Sequence, residues 1–276
     1  MTAGRSLSLD HISITDATPW QLAELAAATG CSGICPFLHS MAVLPAMPDY
    51  DLVRDPSQRR KTRNALASTG VTVDLVYPFT MAGRTVVADF APALEVSAEL
   101  GAPLANVLCY DRDPVRRTEK LAELAELAAA FGIGLALEFY SPSQVRTFAE
   151  ALAEIERVGR ANMGVTLDLL HLMRGGDVEN SMALLADPHI RSNIRIVQLS
   201  DGPAEMPPDR IAWEAGIQRL LPGEGVFDMA AFLNVLDPQV RLSIEAPRQS
   251  AMDAGVPALD RARAAVDATR ACLPRF

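Results

Sequence analysis

Residues 115–140 read VRRTEKLAELAELAAAFGIGLALEFY, and the change of period inside this run decides the fold. Over Val115–Phe131 the apolar residues Leu121, Leu124, Ala128 and Phe131 form one helical stripe, and Gly132 supplies a stop. Gly134–Tyr140, GLALEFY, then has the character of a short buried strand. A surface helix that runs straight into a buried strand is a crossover returning to a parallel sheet.

The same alternation extends in both directions. Short β-rich apolar runs centre on Leu7–Ile14, Cys31–Phe37, Val71–Tyr77, Ala105–Cys109, Ile133–Phe139, Met163–Asp168, Ile194–Leu199 and Val240–Ala246. Eight such runs within 276 residues predict a (β/α)8 TIM barrel, an α/β fold, as one domain over 1–276. An open doubly wound sheet would carry a glycine-rich phosphate turn after its first strand, and no GxGxxG or Walker-type loop is present. The loops richest in proline and charge, His39–Ser57 and Asp201–Gln218, follow the second and seventh strands, on the face where barrels build their sites. Asp201–Gln218 is too irregular to predict a full seventh helix.

Composition excludes several function classes. The net charge is −9 with Lys and Arg scattered, so no basic stripe predicts nucleic acid or an anionic membrane as partner. The opening MTAGRSLSLD lacks the apolar core of a secretory signal, and no window nears the ~18 apolar residues of a membrane span. A soluble, cytoplasmic protein is the expectation, and a homo-oligomer is compatible with it. Cys31, Cys35, Cys109 and Cys272 contain no CxxC pair and are expected to be reduced core thiols.

The late strands share a positional feature. Glu138 in GLALEFY, Asp168 in GVTLDLLH, Gln198 in IRIVQLSDG and Glu245 in RLSIEAPR each end an apolar run before a loop. In a barrel these side chains converge at the C-terminal mouth of strands five to eight. Three carboxylates gathered in a partly dry pocket repel one another, and a divalent cation is the simplest way to stabilise them.

These residues, with Asp168-x-x-His171, Gln198-x-x-Asp201, the turn Pro222-Gly223-Glu224-Gly225 and Ile244-Glu245, resemble the xylose isomerase-like TIM-barrel superfamily of sugar isomerases and epimerases. The resemblance spans most of the chain and is specific from the fifth strand onward. It implies one metal held by Glu138, Asp168, Gln198 and Glu245, with Glu138 and Glu245 as acid and base and His171 contacting substrate oxygens. Position 198 departs from the pattern, in which histidine is usual. Glutamine can coordinate through its amide oxygen, and an all-oxygen shell favours Mn2+ or Mg2+ over Zn2+. Glutamine here also resembles the 3-dehydroshikimate dehydratase branch.

The implied substrate is a small polyhydroxylated carbonyl compound. A proton would leave the carbon beside the carbonyl, giving an enediolate, and return elsewhere for isomerisation or epimerisation; loss of a β-hydroxyl would give dehydration instead. A non-catalytic small-molecule-binding barrel is the alternative from another class, and the presence of both glutamates argues against it. Arg210 and Arg248, after strands seven and eight, are candidate substrate contacts by bidentate hydrogen bonds. Tyr140 and Trp213 can stack on a sugar face, whereas His11, His39 and His189 read as structural or solvated. Endonuclease IV relatives of this fold use a histidine-rich zinc cluster and a basic DNA face; four histidines and the negative charge speak against DNA repair.

Overall fold

Strands β1 (Leu7–Asp10), β2 (Gly33–Cys35), β3 (Thr72–Val73), β4 (Val76–Met81), β5 (Leu104–Cys109), β6 (Gly134–Glu138), β7 (Met163–Asp168), β8 (Ile194–Leu199) and β9 (Arg241–Ile244) form one sheet, wholly parallel. Its order is β3-β2-β1-β9-β8-β7-β6-β5-β4 in this computed structural model, which describes residues 5–273. The first four and last three residues of the expected 1–276 domain lie outside the described residues.

The ends of this order are two halves of one expected strand, Val71–Tyr77, which splits into β3 and β4 and extends to Met81. At the break, Asp74 sends its carboxylate to the Ser8 hydroxyl and the Arg241 guanidinium. Further on, the β4–β5 register shifts between Val76 and Phe79, where Pro78 has no N–H to give. Leu38 N–H donates to Tyr77 O at 2.7 Å and Tyr77 N–H to Pro36 O at 3.1 Å, joining β2 to β4. The result is a TIM barrel of eight strand positions, one of them broken.

Helices surround the sheet, and local chemistry sets their limits. Pro114–Ala130 starts at Asp113, whose carboxylate accepts from Val115 N–H at 3.0 Å and Arg116 N–H at 3.1 Å. Gly132, at φ 72°, turns the chain after it. Leu121, Leu124, Ala125 and Ala128 are buried against the outward-facing Leu135 and Leu137 of β6. Each fully buried leucine contributes about 1.5–3 kcal/mol relative to exposure, which fixes this helix on the sheet.

Three local features bear on the site. The first strand stops at Asp10, and His11–Ile14 form a 3-10 turn whose Ile12 N–H donates to the Asp10 carboxylate at 3.2 Å. The residues after Asp168 form a helix, Leu169–Arg174, rather than a continuing strand and loop. Within 201–218 a short helix, Ile211–Ile217, follows a 3-10 turn at Pro208–Arg210, and the outer helix before β9 is Met229–Val235.

The barrel interior is polar. Ser8, Asp10, Asn106, Thr166, Gln198 and Ser243 are all buried on the inner face, where barrels commonly place branched aliphatic side chains. Buried polar groups are tolerated when hydrogen-bonded, and each of these side chains has a partner: Ser8 on Asp74, Thr166 on Asn106, Asn106 on Glu138, Ser243 on Asp10 and Gln198 on Tyr77. No described helix is long and apolar enough to cross a membrane. Cys31, Cys35 and Cys109 are buried free thiols, and Cys272, also free, is half-buried at the edge of the core.

Candidate active site

Register brings the sequence-predicted acids together. Asp168 pairs directly with Gln198, and Gln198 pairs in turn with Ser243, two residues before Glu245. On the other side Glu138 pairs with Thr166, two residues before Asp168. Because strand side chains alternate, all four candidates point inward near the C-terminal end of the barrel. Glu245 lies just past β9, held there by its N–H donating to Leu199 O at 3.0 Å. Asp168 and Gln198 are fully buried, and Glu138 and Glu245 nearly so.

The spacing Asp168-x-x-His171 has a helical origin. The Asp168 carboxylate accepts the His171 N–H at 3.1 Å, which starts the 169–174 helix and turns the imidazole back toward the strand ends. His171 Nε2 then lies 3.3 Å from Glu138 Oε1 and 3.8 Å from Asp168 Oδ2. One donor atom each from Glu138, Asp168 and His171 fall within 4.8 Å of one another. Tyr140 packs against the imidazole, with ring centroids 4.8 Å apart.

The largest addition to the sequence reading is Arg219. Its guanidinium, 2% exposed as a residue, donates from Nη1 to Asp168 Oδ2 at 2.7 Å and from Nη2 to Glu245 Oε1 at 2.6 Å. Nη1 also reaches Ser200 Oγ at 3.2 Å, and Nε donates to Ala215 O at 2.9 Å. The backbone is pinned on both sides: Arg219 N–H donates to Pro247 O, and Leu220 and Asp201 exchange both backbone hydrogen bonds. Asp201 also accepts from Gly202, Gly223 and Phe227 N–H groups, so it organises the Pro222–Gly225 turn. Any side chain at position 225 would collide with the Asp201 carboxylate and the Gly202 carbonyl. The two motifs noticed in the sequence, Gln198-x-x-Asp201 and Pro222-Gly223-Glu224-Gly225, are thus the scaffold that aims Arg219. In the sequence Arg219 is only an arginine three residues before that turn, with no local sign of what it faces.

Two carboxamides complete the site. Thr166 Oγ1 donates to Asn106 Oδ1 at 2.6 Å, leaving Asn106 Nδ2 to donate to Glu138 Oε2 at 2.5 Å. Gln198 Nε2 donates to Tyr77 Oη at 2.6 Å and to Glu245 Oε2. Tyr77 Oη donates to Asp10 Oδ2 at 2.8 Å. Nothing in the sequence marks Asn106, Tyr77 and Asp10, because a lone polar residue inside an apolar strand carries no signal of what it faces.

Electrostatics favour a bound cation. Burial pushes Glu245 well above the ordinary carboxylate range, opposed by Arg219 and reinforced by the charges of Asp10, Asp168 and Glu138. Asp168 is held low, because Arg219 and His171 together outweigh its burial. Burial carries Asp10 up to about 7. With its three acids ionised, the cluster of Glu138, Asp168, Glu245 and Arg219 carries two uncompensated negative charges, matched in sign and size by one divalent ion. Gln198 Oε1 is buried without a hydrogen-bond partner, a costly state that coordination would relieve. On both grounds Glu138, Asp168, Gln198 and Glu245 fit a divalent cation.

Above these groups lies a cavity of about 540 Å³. Its floor includes Asp10, Asn106, Glu138, His171, Arg219 and Glu245, and its walls are apolar and aromatic, with Phe37, Tyr77, Phe79, Tyr110 and Tyr140. The Ile211–Ile217 helix forms one wall and is clamped by Glu214, which takes two 2.7 Å hydrogen bonds from Arg174.

Other sequence candidates sit elsewhere. The Arg210 guanidinium stacks on Trp213, 3.8 Å from the ring centroid, and neither residue lines the cavity. Arg248 pairs with Glu224 at 2.6 Å and lies outside the cavity as well. Both arginines are fixed by nearer partners on the rim, so the guanidinium at the floor is Arg219. His11, expected at a strand end, is folded into the 3-10 turn with Nε2 2.8 Å from Ala17 O, and burial lowers it to about 4. His39 contacts Ser40 O, and His189 starts a short helix before β8.

Comparison with known proteins bears on the fold and the family. The chain is 28% identical over 241 residues to a 3-dehydroshikimate dehydratase of Pseudomonas aeruginosa, covering 82% of this chain and 35% of that protein. It is 30% identical over 150 residues to an inosose isomerase of Halalkalibacterium halodurans, covering 53% of this chain and 50% of the relative. The chain therefore spans about half or less of the length of these curated relatives. Among solved structures, an IolI protein with a bound zinc atom superposes with a TM-score of 0.73 at 19% identity, covering 97% of both chains. An L-ribulose 3-epimerase superposes with a TM-score of 0.71 at 17% identity, covering 98% of this chain and 95% of the other. These likenesses establish the fold. The family model described as xylose isomerase-like TIM barrel matches residues 23–272, and the chain belongs to that family.

Proposed function

We propose that this chain is a metal-dependent isomerase or epimerase that moves a proton beside the carbonyl of a small polyhydroxylated compound. The observation that carries the reading is the pair Glu138 and Glu245, both on the floor of one cavity and each accepting an amide N–H, with Asp168 and Gln198 between them. Glu138, Asp168, Gln198 and Glu245 would hold the ion, and their oxygen donors suit Mn2+ or Mg2+. When bound, such an ion would polarise a carbonyl and its neighbouring hydroxyl and so favour loss of the adjacent proton to an enediolate.

The chain's own residues supply the proton transfers. One of Glu138 and Glu245 takes the proton from the carbon beside the carbonyl, and the other returns one to the opposite face or the adjacent carbon. Asn106 and Gln198 hold the two carboxylates in place through their amide N–H groups. His171 Nε2, beside Glu138, hydrogen-bonds a substrate oxygen. Among the described residues the cavity lining contains no lysine, and its one arginine is engaged by two carboxylates, so an unphosphorylated substrate fits better than a sugar phosphate. The aromatic walls suit a compact carbon skeleton.

A second reading is dehydration, in which the same intermediate expels a β-hydroxyl. It is favoured by glutamine at position 198 and by the dehydratase relative that covers most of this chain. The deciding experiment incubates Mn2+-loaded protein with ketoses, inososes and 3-dehydroshikimate in D2O. Deuterium entering a ketose or inosose supports isomerase or epimerase chemistry, whereas rising ultraviolet absorbance from 3-dehydroshikimate supports the dehydratase. In the active assay Glu245→Gln is expected to lower turnover by about two orders of magnitude, the scale of losing a general base. Undiminished turnover would remove Glu245 from that role.

A further inference from the structure

We infer that Asp10 and Tyr77 are positioning residues that fix which way round the Gln198 carboxamide sits, so that its oxygen, not its nitrogen, is presented to the bound cation. The inference rests on the ion site proposed above. A buried carboxamide has two nearly isosteric orientations, and only one offers a lone pair to a metal.

The hydrogen-bond directions select between them. Tyr77 has a single hydroxyl proton, and that proton points at Asp10 Oδ2, 2.8 Å away. Asp10 is itself held as an acceptor, taking the Ile12 N–H on Oδ1 and the Ser243 hydroxyl on Oδ2, each at 3.2 Å. With its proton committed, Tyr77 Oη can only accept, and Gln198 Nε2 sits 2.6 Å from it. On the other side Nε2 faces Glu245 Oε2. Both protons of the amide nitrogen are therefore used by acceptors, and Oε1 is turned away from both. It is the one buried site atom left without a partner among Glu138, Asp168, Gln198, Arg219 and Glu245. Groups that hold metal ligands from behind typically contribute a factor of about 10–100 in metal affinity.

The ring of Tyr77 has a separate task, stacking on Phe37 with centroids 4.8 Å apart and lining the cavity. Tyr77→Phe keeps that ring and deletes only the hydroxyl. Asp10→Ala frees the hydroxyl proton to turn toward Gln198 and reverse the amide. Asp10→Asn keeps an oxygen that accepts from Tyr77.

The test is Mn2+ binding, read by the electron paramagnetic resonance signal of free ion, in wild type and in these variants, alone and combined with Gln198→Ala. Tyr77→Phe and Asp10→Ala are expected to weaken binding by about tenfold or more. Asp10→Asn should bind close to wild type, and neither damaging change should have further effect once Gln198 is alanine. Equal affinity in wild type, Tyr77→Phe and Asp10→Ala would overturn the inference, as would losses that persist in full beside Gln198→Ala. A metal-free readout tests orientation directly. In protein labelled with 15N-glutamine, the Gln198 amide protons, assigned by their loss in Gln198→Ala, should exchange slowly in wild type and fast in Tyr77→Phe. Unchanged exchange would refute the lock. A wild type that binds no Mn2+ would sink the proposed function, whereas a binding wild type with equally competent variants sinks only the role of Asp10 and Tyr77.

Discussion

Replacing Arg219 with methionine removes a charge from the most crowded electrostatic position in the protein while keeping an unbranched chain of similar reach. Arg219 is buried between Asp168 and Glu245 at 2.7 and 2.6 Å, so solvent does not screen the contact, and Glu138 adds a third carboxylate nearby. Deleting one member of a buried pair leaves its partner uncompensated and typically costs about 3–5 kcal/mol. For a domain of this size that corresponds to a fall in Tm of roughly 10 °C. The loss should depend on pH with a definite sign. Without the guanidinium, Glu245 rises further above its unfolded value near ~4, and Asp168 loses the main contact that holds it low against its burial, so both folded-state pKa values move up. A raised carboxylate pKa means the folded state binds more protons, so its stability falls as pH rises through that range. Urea denaturation in chelator should therefore show a larger deficit at pH 8 than at pH 5, little changed by salt. Saturating Mn2+ should recover part of it, because the ion supplies positive charge to the same carboxylates. Equal stability of Arg219→Met and wild type at pH 8, or a deficit that grows toward acid, would refute the electrostatic account.

Three further outcomes follow from the same geometry. Adding Mn2+ or Mg2+ to chelator-stripped wild type should raise its Tm, and Gln198→His should shift preference toward Zn2+ or Co2+, as imidazole suits those ions better than an amide oxygen; no shift with any divalent ion would remove the metal site. His171→Gln should leave Mn2+ affinity near wild type and raise KM, whereas a large loss of affinity would make His171 a ligand instead. Between pH 4 and 6.5 the folded state binds fewer protons at His11 than the unfolded chain does, because burial lowers His11 from 6.5 to about 4. Its contribution is present above 6.5 and lost as pH falls through that window, so the stability of wild type relative to His11→Gln should drop by on the order of 3 kcal/mol. A difference constant across that range would contradict the assignment.

The sequence by itself determined the barrel and the acids at its mouth, and the reason is periodicity. Helical and strand periods alternate visibly along the chain, and an acid that ends an apolar strand has only one place to go in a parallel barrel. Glu138, Asp168, Gln198 and Glu245 were legible because each is local to its own strand. The histidine three residues after Asp168 was legible too, although the helix that turns it inward was not. Arg219 could not be read, because its position depends on a backbone segment wedged between Asp201 and Pro247, residues brought together only by the fold. Nor could the partners of Gln198: Tyr77 is 121 residues away along the chain and Asp10 lies a further 67 beyond it. Arg210 and Arg248 looked equally able to reach a substrate until Trp213 and Glu224 claimed them. Periodicity selects the face a residue occupies, but a hydrogen bond needs its partner within about 3 Å, and that distance is set across strands by tertiary packing.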